Sequence, residues 1–180
     1  MSPTETEGKV DSRSDGDQPV GYASQSERPP LVPYAATMAI FNGLFAGGLA
    51  LALKQGHDLP ERPAVGDIAL IGVASHKLSR LIAKDKVTSP LRAPFTELEG
   101  SGGPAELEES ARGGEVRKAV GELLICPYCL DLWAVGGFSI GLLFAPRTSR
   151  FVASVFAAQT VSDFLQVAYK AAEDKGLGEG

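Results

Sequence analysis

Cys126 and Cys129 are the only two cysteines in the chain, and they stand as Cys-Pro-Tyr-Cys directly before the apolar stretch Leu130 to Phe144. Two thiols three residues apart at the start of a helix support three readings. In the first the pair cycles between dithiol and disulfide. The positive end of the helix favours the thiolate of the first cysteine, and Arg117 or Lys118 nearby would help. In the second the thiolates supply half of a tetrahedral zinc site, with His76 as the third ligand and Asp163 or water as the fourth. In the third both are small, partly buried residues at a helix entrance, with Pro127 in the first turn where its missing N–H costs nothing.

A second group with chemical potential is His76, Lys77, Arg80 and Asp163, all within otherwise apolar stretches. Measured along a helix from their outer ends, His76 lies at ~16 Å, Arg80 at ~22 Å and Asp163 at ~18 Å, so the groups share a depth. His76 and Arg80, four apart, fall on one helix face. An ion pair from Asp163 to Arg80 or His76 would offset the cost of charge in low dielectric. The set is then either a proton-handling, anion-binding or metal pocket, or an interhelical salt bridge that fixes packing.

Four stretches must position these residues. A helix needs roughly 20 mainly apolar residues to cross a ~30 Å hydrocarbon core. Pro33 to Leu53 meets that length without a charge, and Phe151 to Tyr169 meets it with Gln159, Thr160 and Asp163 inside. Leu130 to Phe144 reaches it if Leu123 to Ile125 joins, which sets Trp133 near an interface. Val65 to Ala83 begins apolar after Asp67 and then admits His76, Lys77 and Arg80. From Glu115 to Ile125 apolar residues recur at three and four, an amphipathic helix leading to the cysteines. The expectation is an all-α, polytopic membrane protein with about four transmembrane helices plus this amphipathic one. A soluble helical protein is the competing class, because the 44% hydrophobic content suits either.

Residues 1–30, rich in acid, Ser, Gly and Pro, are expected to be a disordered tail. Residues 31–170 form the helical membrane domain, and 171–180 a flexible tail. The connection from Lys84 onward reads as an extended surface strap through Leu91 and Phe95, then a flexible Gly-rich insert at 97–114. Residues 1–30 come before any apolar run, which argues against a signal peptide.

With four spans, thirteen Lys and Arg fall on the side of both termini and the central connection, against Lys54, Arg62, Arg147 and Arg150 opposite. Cytoplasmic loops carry the excess, so both termini are expected inside, in the bacterial inner membrane. Lys84, Lys86 and Arg92 would meet anionic lipid head groups. Acids interspersed among these bases, and a net charge of −5, argue against nucleic acid. Glycines in the first and third spans offer faces for helix contact, with a second copy or another membrane protein as a possible partner.

His76-Lys77-Leu78-Ser79-Arg80-Leu81-Ile82, then Lys84-Asp85-Lys86-Val87-Thr88-Ser89-Pro90-Leu91-Arg92-Ala93-Pro94-Phe95, then Cys126-Pro127-Tyr128-Cys129-Leu130-Asp131-Leu132-Trp133 resembles the bacterial membrane proteins grouped as domain of unknown function 1360. The resemblance covers roughly residues 65–170. It implies a small helical integral membrane protein with no established chemistry. No phosphate-binding Gly-rich loop, nucleophile elbow or His-Glu-x-x-His occurs. The sequence therefore points to a non-enzymatic structural or interaction component of the cell envelope, with a thiol-redox or metal-binding protein using Cys126, Cys129, His76 and Asp163 as the alternative.

Overall fold

The computed structural model describes residues 29–178. The expected disordered tail falls largely on residues outside that range. Four long helices make up the body: α1 (Leu31–Lys54), α2 (Val65–Lys84), α5 (Pro127–Phe144) and α6 (Pro146–Gly178). Between α2 and α5 lie a 3-10 turn (Lys86–Thr88), a short helix α3 (Ser89–Arg92), strands β1 (Thr96–Ser101) and β2 (Leu107–Ala111), and helix α4 (Glu115–Ile125).

α2 runs antiparallel to α5 and parallel to α6. The parallel pairing is pinned along its length by Asp67 with Arg150, Thr160 Oγ1 donating to Val73 O at 3.3 Å, and Lys77 with Asp163. The buried face of α2 is Ile71, Ala74, Ser75, Ser79 and Ala83, all but the first of them small residues of the kind found where helices pack closely. α6 leaves α5 through a one-residue turn, where a Cβ on Gly141 would sit 2.7 Å from Ser149 Oγ. α1 packs outside this trio on α5. Phe41 meets Trp133 edge to face at 5.2 Å, and a Cβ on Gly136 would stand 3.0 Å from the Phe41 ring.

The outer surface of the body is apolar. Met38, Leu44, Phe151, Phe164 and Leu165 are each at least 63% exposed. Among the described residues three helices, α1, α5 and α6, are long and apolar enough to cross a membrane, yet only 6%, 11% and 11% of their most apolar stretches are buried. α2 does not meet that apolar threshold.

Three expectations need correction. The fold is mostly helical but not all-α, because the segment read as a flexible insert is an antiparallel hairpin, Thr96 opposite Ala111 and Ser101 opposite Leu107, with an irregularity between Leu98 and Gly100. The strap read as extended is the 3-10 turn and α3, with Pro90 in the first helical turn where it is tolerated. The segment read as a flexible C-terminal tail continues α6 to Gly178. At ~1.5 Å per residue this helix is ~50 Å long and outreaches a ~30 Å core by several turns.

Candidate functional site

Cys126 is extended, at φ −98° and ψ 100°, and so ends α4 and caps α5. The break is local chemistry, since Pro127 disfavours a helical residue before it and has no N–H to continue α4. Cys126 Sγ accepts the N–H of Cys129 at 3.2 Å, while Cys126 O accepts the same N–H at 3.1 Å and that of Leu130 at 3.1 Å. A disulfide joins Cys126 to Cys129, whose Cα atoms are 5.3 Å apart. Cys126 is half-buried and Cys129 exposed, and Tyr128 between them is 90% exposed. One turn on, Asp131 keeps Oδ1 buried with no hydrogen-bond partner.

Arg117, expected to assist the thiols, is engaged elsewhere: its Nε donates to Pro94 O at 2.7 Å, and its Nη2 reaches the same oxygen. The zinc reading does not gain its missing ligands, for among the described residues no three His, Cys, Asp or Glu side chains converge to hold a metal ion. His76 is exposed on α2 and is not brought to the cysteines as a third ligand.

The expected polar cluster divides into two ion pairs. Asp163 takes Lys77, at 2.6 Å, rather than Arg80 or His76. Arg80 instead reaches Glu106 of the hairpin connection at 2.5 Å. The arrangement is that of interhelical and helix-to-hairpin clamps. The crevice among α2, α5 and α6 at the opposite end, lined by Asp67, Ile71, Phe138 and Leu142, is too tight to admit water.

The feature absent from the sequence reading is the clamp on the hairpin. Successive carboxylates on and before β2 take the bases of α2 and α3: Glu106 with Arg80, Glu108 with Lys84 at 2.9 Å, and Glu109 with Arg92 at 2.5 Å. Arg92 is wholly buried and Glu109 nearly so. The guanidinium donates to Ile82 O in the last turn of α2 at 2.7 Å, to Asp85 O just beyond it at 3.1 Å, and to Thr88 Oγ1 at 2.8 Å. Arg92 therefore cannot serve the head groups expected of it. Its fork is consumed inside the cap, and Lys84 is drawn to Glu108, whereas Lys86 is exposed. At the other end of α2, Asp67 and Arg150 form a two-pronged pair at 2.8 and 2.7 Å, also unforeseen.

The profile of a family described as protein of unknown function (DUF1360) matches residues 70–169. The chain is also similar to "Sporulation protein YjcA" of Bacillus subtilis (strain 168), 26% identical over 102 residues, which cover 55% of this chain and 86% of that protein. No solved structure matches.

Proposed function

The chain belongs to this bacterial family of unknown function, and on that premise we propose that it is an integral protein of the bacterial cytoplasmic membrane with four crossing helices. The observation that carries the reading is how little of the apolar helices α1, α5 and α6 is buried, with Met38, Leu44, Phe151, Phe164 and Leu165 turned outward on α1 and α6. A water-soluble bundle buries its apolar helices, and its largest exposed apolar patch is ~300–600 Å². Helices this apolar with their faces turned outward find their solvent in lipid.

α2 crosses with the others because it packs along α5 and α6. From Asp67 to Lys84 it measures ~26 Å, close to the hydrocarbon thickness. Its charges are handled by pairing, Lys77 with Asp163 within the bundle and Asp67 with Arg150 at the far end. The end that carries the hairpin, α4 and the disulfide is cytoplasmic on the Lys and Arg count. That rule follows positive residues rather than net charge, so the glutamates of β2 do not cancel it. Lys86, exposed beside the end of α2, is positioned for anionic head groups.

Four spans holding up a folded polar cap support a structural or interaction role in the cell envelope, with a membrane protein or a second copy as partner. The name of the Bacillus subtilis relative attaches sporulation to that protein.

The test is labelling of Cys126 and Cys129 in intact cells with a membrane-impermeant maleimide, before and after reduction. Labelling that requires permeabilised cells is expected. Labelling from outside would invert the topology, and release of the protein from membranes by alkaline carbonate would sink the membrane reading itself.

A further inference from the structure

We propose that Cys126 and Cys129 form a thiol–disulfide exchange site at the membrane surface, which reduces an acceptor disulfide with Cys126 as nucleophile and Cys129 as resolving thiol. The inference goes beyond the membrane assignment and does not depend on which side the cap faces.

Three features argue for exchange over a structural bridge. The disulfide spans a sequence separation of three and lies within the first turn of α5. Cross-links stabilise chiefly by closing long loops of the unfolded chain, and this one closes a very short loop, across backbone already fixed by Cys129 N–H and Leu130 N–H on Cys126 O. The bridge is also accessible, with Cys129 exposed and the exposed Tyr128 ring beside it. Structural disulfides that must persist are more often enclosed by the core they staple. Finally, the sulfurs are unlike in surroundings. Cys126 Sγ caps α5 and accepts the Cys129 N–H, an environment that holds negative charge on sulfur at the end of an 18-residue helix. Metal binding would compete for the same thiolates, but among the described residues the partners it needs do not converge there.

The chemistry closes on the chain's own atoms and one acceptor. In the reduced pair the Cys126 thiolate attacks one sulfur of an acceptor disulfide, an S–S bond to Cys126 forms as the acceptor's bond breaks, and the departing sulfur takes up a proton. The Cys129 thiolate then attacks Cys126 Sγ, closing the bond seen in the structure and expelling the second acceptor thiol. Two electrons pass from the pair to the acceptor, and the two protons of the pair finish on the acceptor's thiols.

The test uses full-length protein in detergent micelles, reduced with a small dithiol, desalted, and offered either bis(2-hydroxyethyl) disulfide or insulin. Loss of two thiols per chain, with matching release of acceptor thiol at roughly ten-fold the rate of free cysteine, is expected with at least one of them. Reaction with the first identifies a low-molecular-weight acceptor, and reaction with the second a protein disulfide. Cys129→Ser should stop at a mixed disulfide, visible as the mass of one acceptor half on Cys126, and Cys126→Ser should give none. The wild-type stoichiometry decides the matter even if a variant misfolds. Reaction of neither acceptor faster than free cysteine, loss of only one thiol per chain, or a pair that millimolar dithiol cannot reduce in the folded protein would each overturn the proposal.

Discussion

Arg92 carries the largest consequence of any single side chain, because a fully buried guanidinium tolerates no vacancy among its partners. It donates to Glu109, two backbone carbonyls and the Thr88 hydroxyl. Removing one member of such a buried pair leaves a charge without compensation, at a cost of ~3–5 kcal/mol. Arg92→Ala should lower stability by about that amount in detergent, read as an early thermal transition with proteolysis inside 96–111. Arg92→Lys should recover little, since an ammonium cannot reproduce the fork that spans Glu109 and the end of α2. If Arg92→Lys is as stable as the parent, the clamp is not what holds the cap. The same scale separates the two readings of the charges between α2 and α6. Asp163→Asn leaves the Lys77 ammonium, 11% exposed, without its carboxylate. The expected result is loss of stability, reversed when Lys77→Met is added; a double variant no more stable than Asp163→Asn alone would contradict a packing role.

At the level of elements, run length in the sequence located α1, α5 and α6 because each is specified by its own apolar residues, and α2 from an apolar start that then admits His76, Lys77 and Arg80. Period three and four in 115–125 likewise foretold α4. The hairpin was illegible for a physical reason. Its strands, Thr-Glu-Leu-Glu-Gly-Ser and Leu-Glu-Glu-Ser-Ala, have little β propensity and no clean alternation, and the irregularity at Leu98 and Gly100 breaks their period. What orders them is non-local: Arg80, Lys84 and Arg92 from the preceding helices, and α4 beneath. Gly121 is where α4 admits the hairpin. A Cβ there would lie 2.6 Å from Phe95 O and 2.9 Å from the Ala111 Cβ, and backbone cannot give way as a side-chain tip can. Gly121→Val should therefore lift the hairpin from α4, costing ~1–3 kcal/mol and exposing amides of 96–111 to hydrogen exchange while those of α2 and α5 stay protected. Uniform loss of protection would mean that the cap and the bundle fold as one unit. The surroundings of the cysteine pair were half legible. Spacing put both thiols at a helix start, but which neighbours attend them depended on Arg117 turning to Pro94 O and His76 facing outward, neither of which a one-dimensional pattern contains.

Across the whole molecule, α2, α5 and α6 pack on one another and carry the cap, whereas α1 leans on α5 through Phe41, Phe45 and Gly48, with Tyr34 hydrogen-bonded to Glu122 of α4. The family match, 70–169, begins inside α2 and ends within α6, so it covers the trio and the cap and leaves α1 out. Packing and family boundary thus divide the chain at the same place. On the proposed four-span layout a chain beginning at residue 55 should then still insert, its orientation kept by the bases at the cap, which lie close to one end of α2, α5 and α6. Its new N-terminus would stay on the far side, where the α1–α2 connection lies in the full chain, since three spans do not return it to the cap's side. The measurement is a pair of reporter fusions, one active only outside the membrane and one only inside, placed at residue 55 and at the C-terminus. The expected pattern is outside at the first and inside at the second. Both reporters inside would show that α2 does not cross without α1, and would reduce the three-helix unit to a bundle that depends on α1 for its insertion.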